Sequence, residues 1–266
     1  KGITVAAFAA GAAIGSVDVA GETKAYLGRH SQVDGSSASS GTLSSLDISA
    51  ESVFDADVDV WTVAGGIGAG SGNDAKVNYS PKIHAYIDDG SNVDITGHLA
   101  IDAKATPYVN AKITGVNAGV FNVGVSLVDI VIEPDLVAKI GGTGGVEGNG
   151  VVVNAKSISV TAKNIIGSNG YTADTESTSA SVGFILGVDA AVNKITNKTS
   201  TYARIGDYAS ITTTHAVKVL AENDTKHRAK SGGGAGSLMA AVGVGHAEIN
   251  TATDTQAHLG STPKIN

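Results

Sequence analysis

Three aspartates alternate in the stretch FDADVDV: Asp55, Asp57 and Asp59. Carboxylates on one strand face could offer oxygen ligands to a hard cation such as calcium. Side chains two residues apart on a strand sit about 7 Å from one another, too far for one ion without further ligands. A solvated acidic face is therefore expected, with Asp55, Asp57 and Asp59 kept as the metal candidate. Two glycine-rich stretches, GGIGAGSGND from Gly65 and GGTGGVEGNG from Gly141, invite comparison with the calcium-binding Gly-Gly-x-Gly-x-Asp repeat. Gly70 and Val146 stand where that repeat requires Asp, and neither stretch carries the Lys-Ser/Thr of a phosphate loop. The histidines (His30, His84, His98, His215, His227, His246 and His258) show no metal-ligand spacing, and no G-x-S-x-G elbow occurs. His227 and Arg228, in the short basic patch KHRAK, are expected at the surface. No catalytic residue and no cofactor is expected.

Bulk composition narrows the class further. Hydrophobic residues make up 42% of the 266 positions, enough for a core, but aromatics only 5%, against 35 Gly. The core must then be built from Val, Ile, Leu and Ala, and be thin. Absence of cysteine removes disulfides, thiolate sites and thiol nucleophiles. A net charge of −7 without a long basic run argues against nucleic acid as a partner. No run reaches the ~18 apolar residues of a membrane-spanning helix. The chain starts at Lys1 rather than Met and is expected to be a fragment or a processed form.

The elements that would position any site come from repetition. Five near-copies of one pentapeptide recur: KAYLG at Lys24, HAYID at His84, VAKIG at Val137, YARIG at Tyr202 and QAHLG at Gln256. A second, alternating anchor ends in Ala: LDISA at Leu46, LAIDA at Leu99, ISVTA at Ile158 and VKVLA at Val217. Steps from first to second anchor (Leu27 to Ile48, Ile87 to Ile101, Ile140 to Val160, Ile205 to Val219) are 21, 14, 20 and 14 residues. Steps back to the next first anchor are 39, 39, 45 and 40. The basic unit is therefore 53 residues, with extras of six or seven. GSSASSG (from Gly35) and GGTGGVEGNG account for two extras, and GSNGYT (from Gly167) or NKTS (from Asn197) for a third.

Period-two alternation and abundant Val, Ile and Thr point to strand. Recurrent Gly, at about 0.8–1 kcal/mol each in a helix interior, argues against helix in the Ala-rich runs. The expected fold is all-β: one right-handed parallel β-solenoid (β-helix) over residues 1–266. Five repeats of roughly 53–59 residues are expected at about 1–50, 51–103, 104–162, 163–221 and 222–266. Each is one wide flattened coil or two coils of half that length, the wide coil being preferred. Stacking in register turns Ala and Leu/Ile of the first anchor inward. Tyr26, Tyr86, Lys139, Arg204 and His258 then form an outward ladder and the expected contact surface. The next column, Gly28, Asp88, Gly141, Gly206 and Gly260, is expected to be a corner of positive φ. Glu51, Lys104, Lys163 and Glu222 should form a charged column.

This order, a Gly/Ala-rich strand, a segment like AYIDDG or ARIGDY, then LAIDA or ISVTA, resembles the repeats of giant repetitive bacterial surface proteins. Leukotoxin-type filamentous adhesins with β-helix repeats are among them. The resemblance implies a secreted, cell-surface or extracellular protein with an adhesive or structural role, and supplies no catalytic residues. The expected function is a structural or adhesive module, not an enzyme. Neither end carries a polar cap, so a second copy stacked head-to-tail into a filament is an expected partner. Surface glycans of host or neighbouring cells are another. The alternatives are a polysaccharide lyase or hydrolase on a β-helix, or a carbohydrate-binding module using Tyr26 and Tyr86.

Overall fold

The computed structural model describes residues 1–35, 43–142, 150–167, 169–261 and 263–266. Most of GSSASSG and of GGTGGVEGNG, Val146 included, and Ser168 of GSNGYT lie outside the described residues. Among the described residues the fold is all strand, with no helix.

The chain makes five successive passes. The first holds β1 (Gly2–Val5), β2 (Phe8–Val19), β3 (Glu22–Leu27) and β4 (Gln32–Asp34). The second holds β5 (Ser45–Tyr79), β6 (Lys82–Ile87) and β7 (Asn92–Asp94), and the third β8 (His98–Ile132), β9 (Asp135–Ile140) and β10 (Val152–Ala155). The fourth holds β11 (Ser157–Asn164), β12 (Ala173–Asn197), β13 (Ser200–Ile205) and β14 (Ser210–Thr213). The fifth holds β15 (Val217–Asn223), β16 (His227–Gly236), β17 (Ala240–Thr251), β18 (Asp254–Leu259) and β19 (Lys264–Ile265).

These strands form three parallel sheets, each visited once per pass and in the same order. The long strands with β1, β2, β11, β12, β15, β16 and β17 make the first sheet. The second runs β18-β13-β9-β6-β3 and the third β19-β14-β10-β7-β4. Pairing is in register with the equivalent residue of the neighbouring pass. Leu27, Ile87, Ile140, Ile205 and Leu259 form one column. Ile48, Ile101, Val160 and Val219 form another. Offsets along the first column are 60, 53, 65 and 54 residues, by subtraction of the paired numbers. The offset of 65 exceeds the expected range because two insertions fall in one pass. One is the Gly141 stretch. The other lies between β11 and β12, at GSNGYT rather than NKTS.

Two compartments fill the interior. In the first, all three sheets converge on one apolar core. The first sheet contributes Ile48, Leu99, Ile101, Ile158 and Val160, the second Ile83, Ile87, Leu136, Ile140 and Ile205, the third Val93, Val153 and Ile211. The second compartment arises because the long strands fold back on themselves. Thr62 Oγ1 donates to Asn73 Oδ1 at 2.8 Å. Eleven extended residues would span about 36 Å, so β5 must double back between them. Ser179 Oγ likewise reaches Asp189 Oδ1 in β12. The turn is a glycine column, Gly66, Gly119 and Gly183. A Cβ on Gly119 would lie 1.8 Å from the Gly66 carbonyl oxygen, so the passes stack there only without side chains. The result is a flat two-layered extension. Its base is apolar, with Val58, Val60, Val77, Ile113, Ile130 and Ile195. Phe54 stacks on buried Tyr79 at 4.5 Å, and Tyr79 shares a 3.0 Å hydrogen bond with Ser52.

The expected positive-φ corner is displaced. Of Gly28, Gly141, Gly206 and Gly260, only Gly141 has positive φ. Elsewhere the left-handed residue falls three positions past the anchor, at His30, Gly90 and Tyr208. Gly206 is needed instead for close approach: its Cβ would lie 2.4 Å from Gly142 O.

Burial at the centre of the three-sided core sets a stability expectation. Ile140→Ala should cost about 2–5 kcal/mol in urea unfolding, since Ile140 is fully buried with a paired neighbour on each side. Exposed Lys218→Ala should stay within about 0.5 kcal/mol.

Candidate functional site

The candidate site residues named from the sequence all lie among the described residues. Asp55, Asp57 and Asp59 lie exposed in a row on the outgoing half of β5. Their ladder neighbours are Tyr108, Asn110 and Lys112, and Asn110 Nδ2 donates to Asp57 at 3.0 Å. The carboxylates do not converge, and no group of three Asp, Glu, His or Cys among the described residues is placed to hold a metal.

Tyr26, Tyr86, Lys139, Arg204 and His258 occupy consecutive outward positions of the second sheet. Tyr26 and Tyr86 stack with ring centroids 5.1 Å apart and planes at 11°. Lys139 Nζ lies 5.0 Å from the centroid of Tyr86. Both faces of Tyr86 are thus occupied by its own ladder, leaving only the outer face of Tyr26 open. The charged column forms ion pairs: Lys104 with Glu51 at 2.7 Å and Lys163 with Glu222 at 2.9 Å. Both are exposed pairs of roughly 0.2–1 kcal/mol.

His227 departs from expectation. It stacks on Ala173 and Val109, which are buried, and so points inward. Its Nε2 meets Asn197 Nδ2 at 3.0 Å, and burial lowers its pKa. Parity along β16 explains this, since Arg228 takes the outward position. There it forms a bidentate ion pair with Asp174 and lies over Tyr171.

The feature that sequence reasoning missed is the distal half of the extension. On its inner side stand Asn73, Asn117, Asn122, Ser126, Ser177, Ser179, Asp189 and Asn193, all buried. The apolar residues of the same strands face out. In β8, Phe121, Val123, Val125 and Leu127 are exposed while Asn122, Gly124 and Ser126 point inward. In β12, Leu186, Val188, Ala190 and Val192 take the outward positions against inward Asp189, Ala191 and Asn193. Amphipathicity is inverted: polar inside, apolar outside.

The layers meet closely in this slot. Polar side chains cross it to the opposite backbone: Asn122 Nδ2 donates to Val182 O, Asn193 Nδ2 to Lys230 O, and Ser231 Oγ to Ala191 O. A Cβ on Gly124 would lie 2.2 Å from Asp189 Oδ1 and 2.5 Å from Asn117 Nδ2, so Gly124 provides the space for both. Asp189 exposes none of its surface. Its carboxyl accepts from Ser179 and from backbone N–H groups of Gly234 and Ala190, yet Oδ2 has no protein partner. Burial, the largest influence, raises its pKa above the ordinary value, and the hydrogen bonds only partly oppose this. The arrangement holds a carboxyl toward its neutral form between layers. It presents neither a nucleophile–base pair nor a set of converging charges.

No known family model, curated protein or solved structure matches the chain.

The Asp189 environment predicts a pH dependence. The folded carboxyl keeps its proton to higher pH than the unfolded one, so its contribution to stability falls as pH rises above the ordinary value of 3.8. Asp189→Asn keeps the shape without the charge. Its stability relative to the parent should increase with pH across that window and then level off, as read by urea midpoints at a series of pH values. Parallel profiles for the two proteins would refute the assignment. Gly124→Ala should destabilise by about 1–3 kcal/mol, because buried Asp189 and Asn117 must both move.

Proposed function

We propose that this chain is a structural or adhesive repeat module of a bacterial surface protein, folded as a parallel β-solenoid of wide flattened coils. The observation that carries this reading is the in-register ladder. Among the described residues, paired positions from the Leu27–Leu259 column to the Gly66–Gly183 turn meet their counterparts one pass away. Such stacking gives length and stiffness from a simple sequence, because each unit contacts only its neighbours.

The resemblance to leukotoxin-type filamentous adhesins supports the same reading and implies a module outside the cell or on its surface. At the two ends of the stack, edge strands β3 and β4 and edge strands β18 and β19 present backbone groups to a further coil. A second copy joined head-to-tail would supply that coil. Adhesion would use the outward ladder at Tyr26 and Tyr86 and the corner loops, where side chains vary without disturbing the core.

Electron microscopy of the purified chain, with X-ray diffraction from aligned samples, tests this. Rods with a strong reflection near 4.8 Å along the rod axis are expected. Isotropic particles would refute head-to-tail stacking, and a spacing of about 4.8 Å across the rod would refute a solenoid.

A further inference from the structure

We infer that the tip of the extension, where the long strands turn, dips into one leaflet of a lipid bilayer, with the stack of passes lying along the membrane surface. The tip is apolar on three sides, and all five passes take part. Its rim carries Phe8, Ile67, Phe121, Phe184 and Leu238, of which Phe8 is 83% exposed, Phe184 62% and Leu238 77%. On the returning face, the second row from the turn is Ala10, Gly70, Val123, Val188 and Val242. On the outgoing face, Ile3, Val63, Val116, Ala180 and Gly234 form a matching row. A flat protein surface covers one face of such a tip. Lipid surrounds both faces and the rim together.

Charge marks the depth. Thr62 and Asn73 meet across the slot; Asp59 lies three residues before the one and Lys76 three after the other, so these two stand back to back. In-register pairing continues their level as Lys112 with Asp129, Glu176 with Lys194, and Lys230 with Glu248. This collar is neutral, four acids against four bases. Its alternating signs complement the phosphate and ammonium of zwitterionic headgroups. From the collar to the tip, the ionisable residues are Lys1, Asp74 and His246, all in the row next to the collar, and Asp189, which points inward. Trp61, the one Trp of the chain, lies in that same row, and indoles favour the membrane interface.

The dimensions agree with one leaflet. At about 3.3 Å per residue, the third row (Val125) lies about 13 Å from Phe121, the row of Leu127 and Trp61 about 20 Å, and the collar about 26 Å. Half a bilayer offers about 15 Å of hydrocarbon and about 20–22 Å with its headgroups. The uncharged rows thus match the acyl region, the Trp61 row the headgroups, and the collar the water beyond.

Backbone groups tolerate this placement. At the tip, β5, β8 and β12 are paired on both sides, and the polar slot is enclosed between the layers. The turns are linked as well: Gly68 N–H donates to Ala7 O at 3.0 Å and Leu238 N–H to Phe184 O at 3.3 Å. Strands β1, β2, β16 and β17 are paired on one side only, so the inference rests on the head-to-tail stacking proposed above, which pairs the other.

Flotation of the full chain with phosphatidylcholine vesicles is the test, read with Trp61 fluorescence, circular dichroism and electron microscopy with and without vesicles. Rods lying on the vesicles are expected, and flotation should persist in high salt because the collar is neutral. Quenchers on the headgroup or upper acyl chain should dim Trp61 more than one at the acyl terminus. Phe184→Glu with Leu238→Glu, at exposed turn positions, should lower vesicle partitioning about tenfold or more at unchanged circular dichroism and unfolding midpoint. Phe184→Leu with Leu238→Phe should retain it. Rods that do not float overturn this inference and leave the stacking intact. Absence of rods in both samples overturns the stacking and this inference with it. The inference is also overturned by flotation that survives the two glutamates, requires anionic lipid or disappears in high salt. A lipid-free tip-to-tip oligomer that the glutamates dissolve, in a chain that does not float, overturns it equally.

Discussion

In-register parallel pairing is the constraint on which everything else in this molecule depends. Each residue lies one strand spacing, about 4.8 Å, from its own counterpart in the neighbouring pass. A column must therefore tolerate its own kind. Aliphatic columns do so readily, which is why Leu27, Ile87, Ile140, Ile205 and Leu259 keep one size. The glycine column at the turn keeps no side chain at all, because the carbonyl of the adjacent pass occupies that space. Two charged columns change sign at each step: Asp59, Lys112, Glu176 and Lys230 alternate along the outgoing face. Lys76, Asp129, Lys194 and Glu248 do so on the returning face.

The two compartments satisfy that constraint with different physics. In the three-sided core, burial of Ile, Leu and Val supplies the driving force, at about 25 cal/mol per Å² of apolar surface removed from water. In the distal extension there is no room for such side chains. Gly, Ser and Asn let the layers approach closely, and side-chain amides reach the opposite backbone. Several of these groups, including both amide atoms of Asn117 and Oδ1 of Asn193, lack protein partners. A buried polar group left unpaired costs about 1–3 kcal/mol. The slot therefore weakens the extension relative to the core. The apolar surface that would ordinarily offset this stands on the outside.

Much of the architecture could be read from spacing. The anchors at Ala25, Ala85, Ala138, Ala203 and Ala257 lie at one register position, and Glu51 and Lys163 meet the partners their spacing assigns. The corner was less readable. A recurring glycine suggested positive φ at Gly206, whereas the left-handed turn is taken by Tyr208, a residue with no glycine signature. Gly206 serves close approach instead, which no local pattern distinguishes from conformational need. His227 lay in a basic patch that looked solvated, and only strand parity turned its ring inward.

What the amino-acid sequence determined by itself is the repeat, the period-two strands and the columns they form, because equal spacing dictates which residues stack. Which face of a strand points inward is another matter. Alternation defines two faces without ranking them, and Phe121, Val123, Val125 and Leu127 share the more apolar one. Tertiary structure decided otherwise for a simple reason. Val128, Ile130 and Ile132, on the same continuous strand, are held inside by the apolar base of the extension. A strand cannot change parity without a bulge, so the even positions stay inside all the way to Asn122. The strong anchors at the base thus place polar residues in the slot and apolar residues outside it.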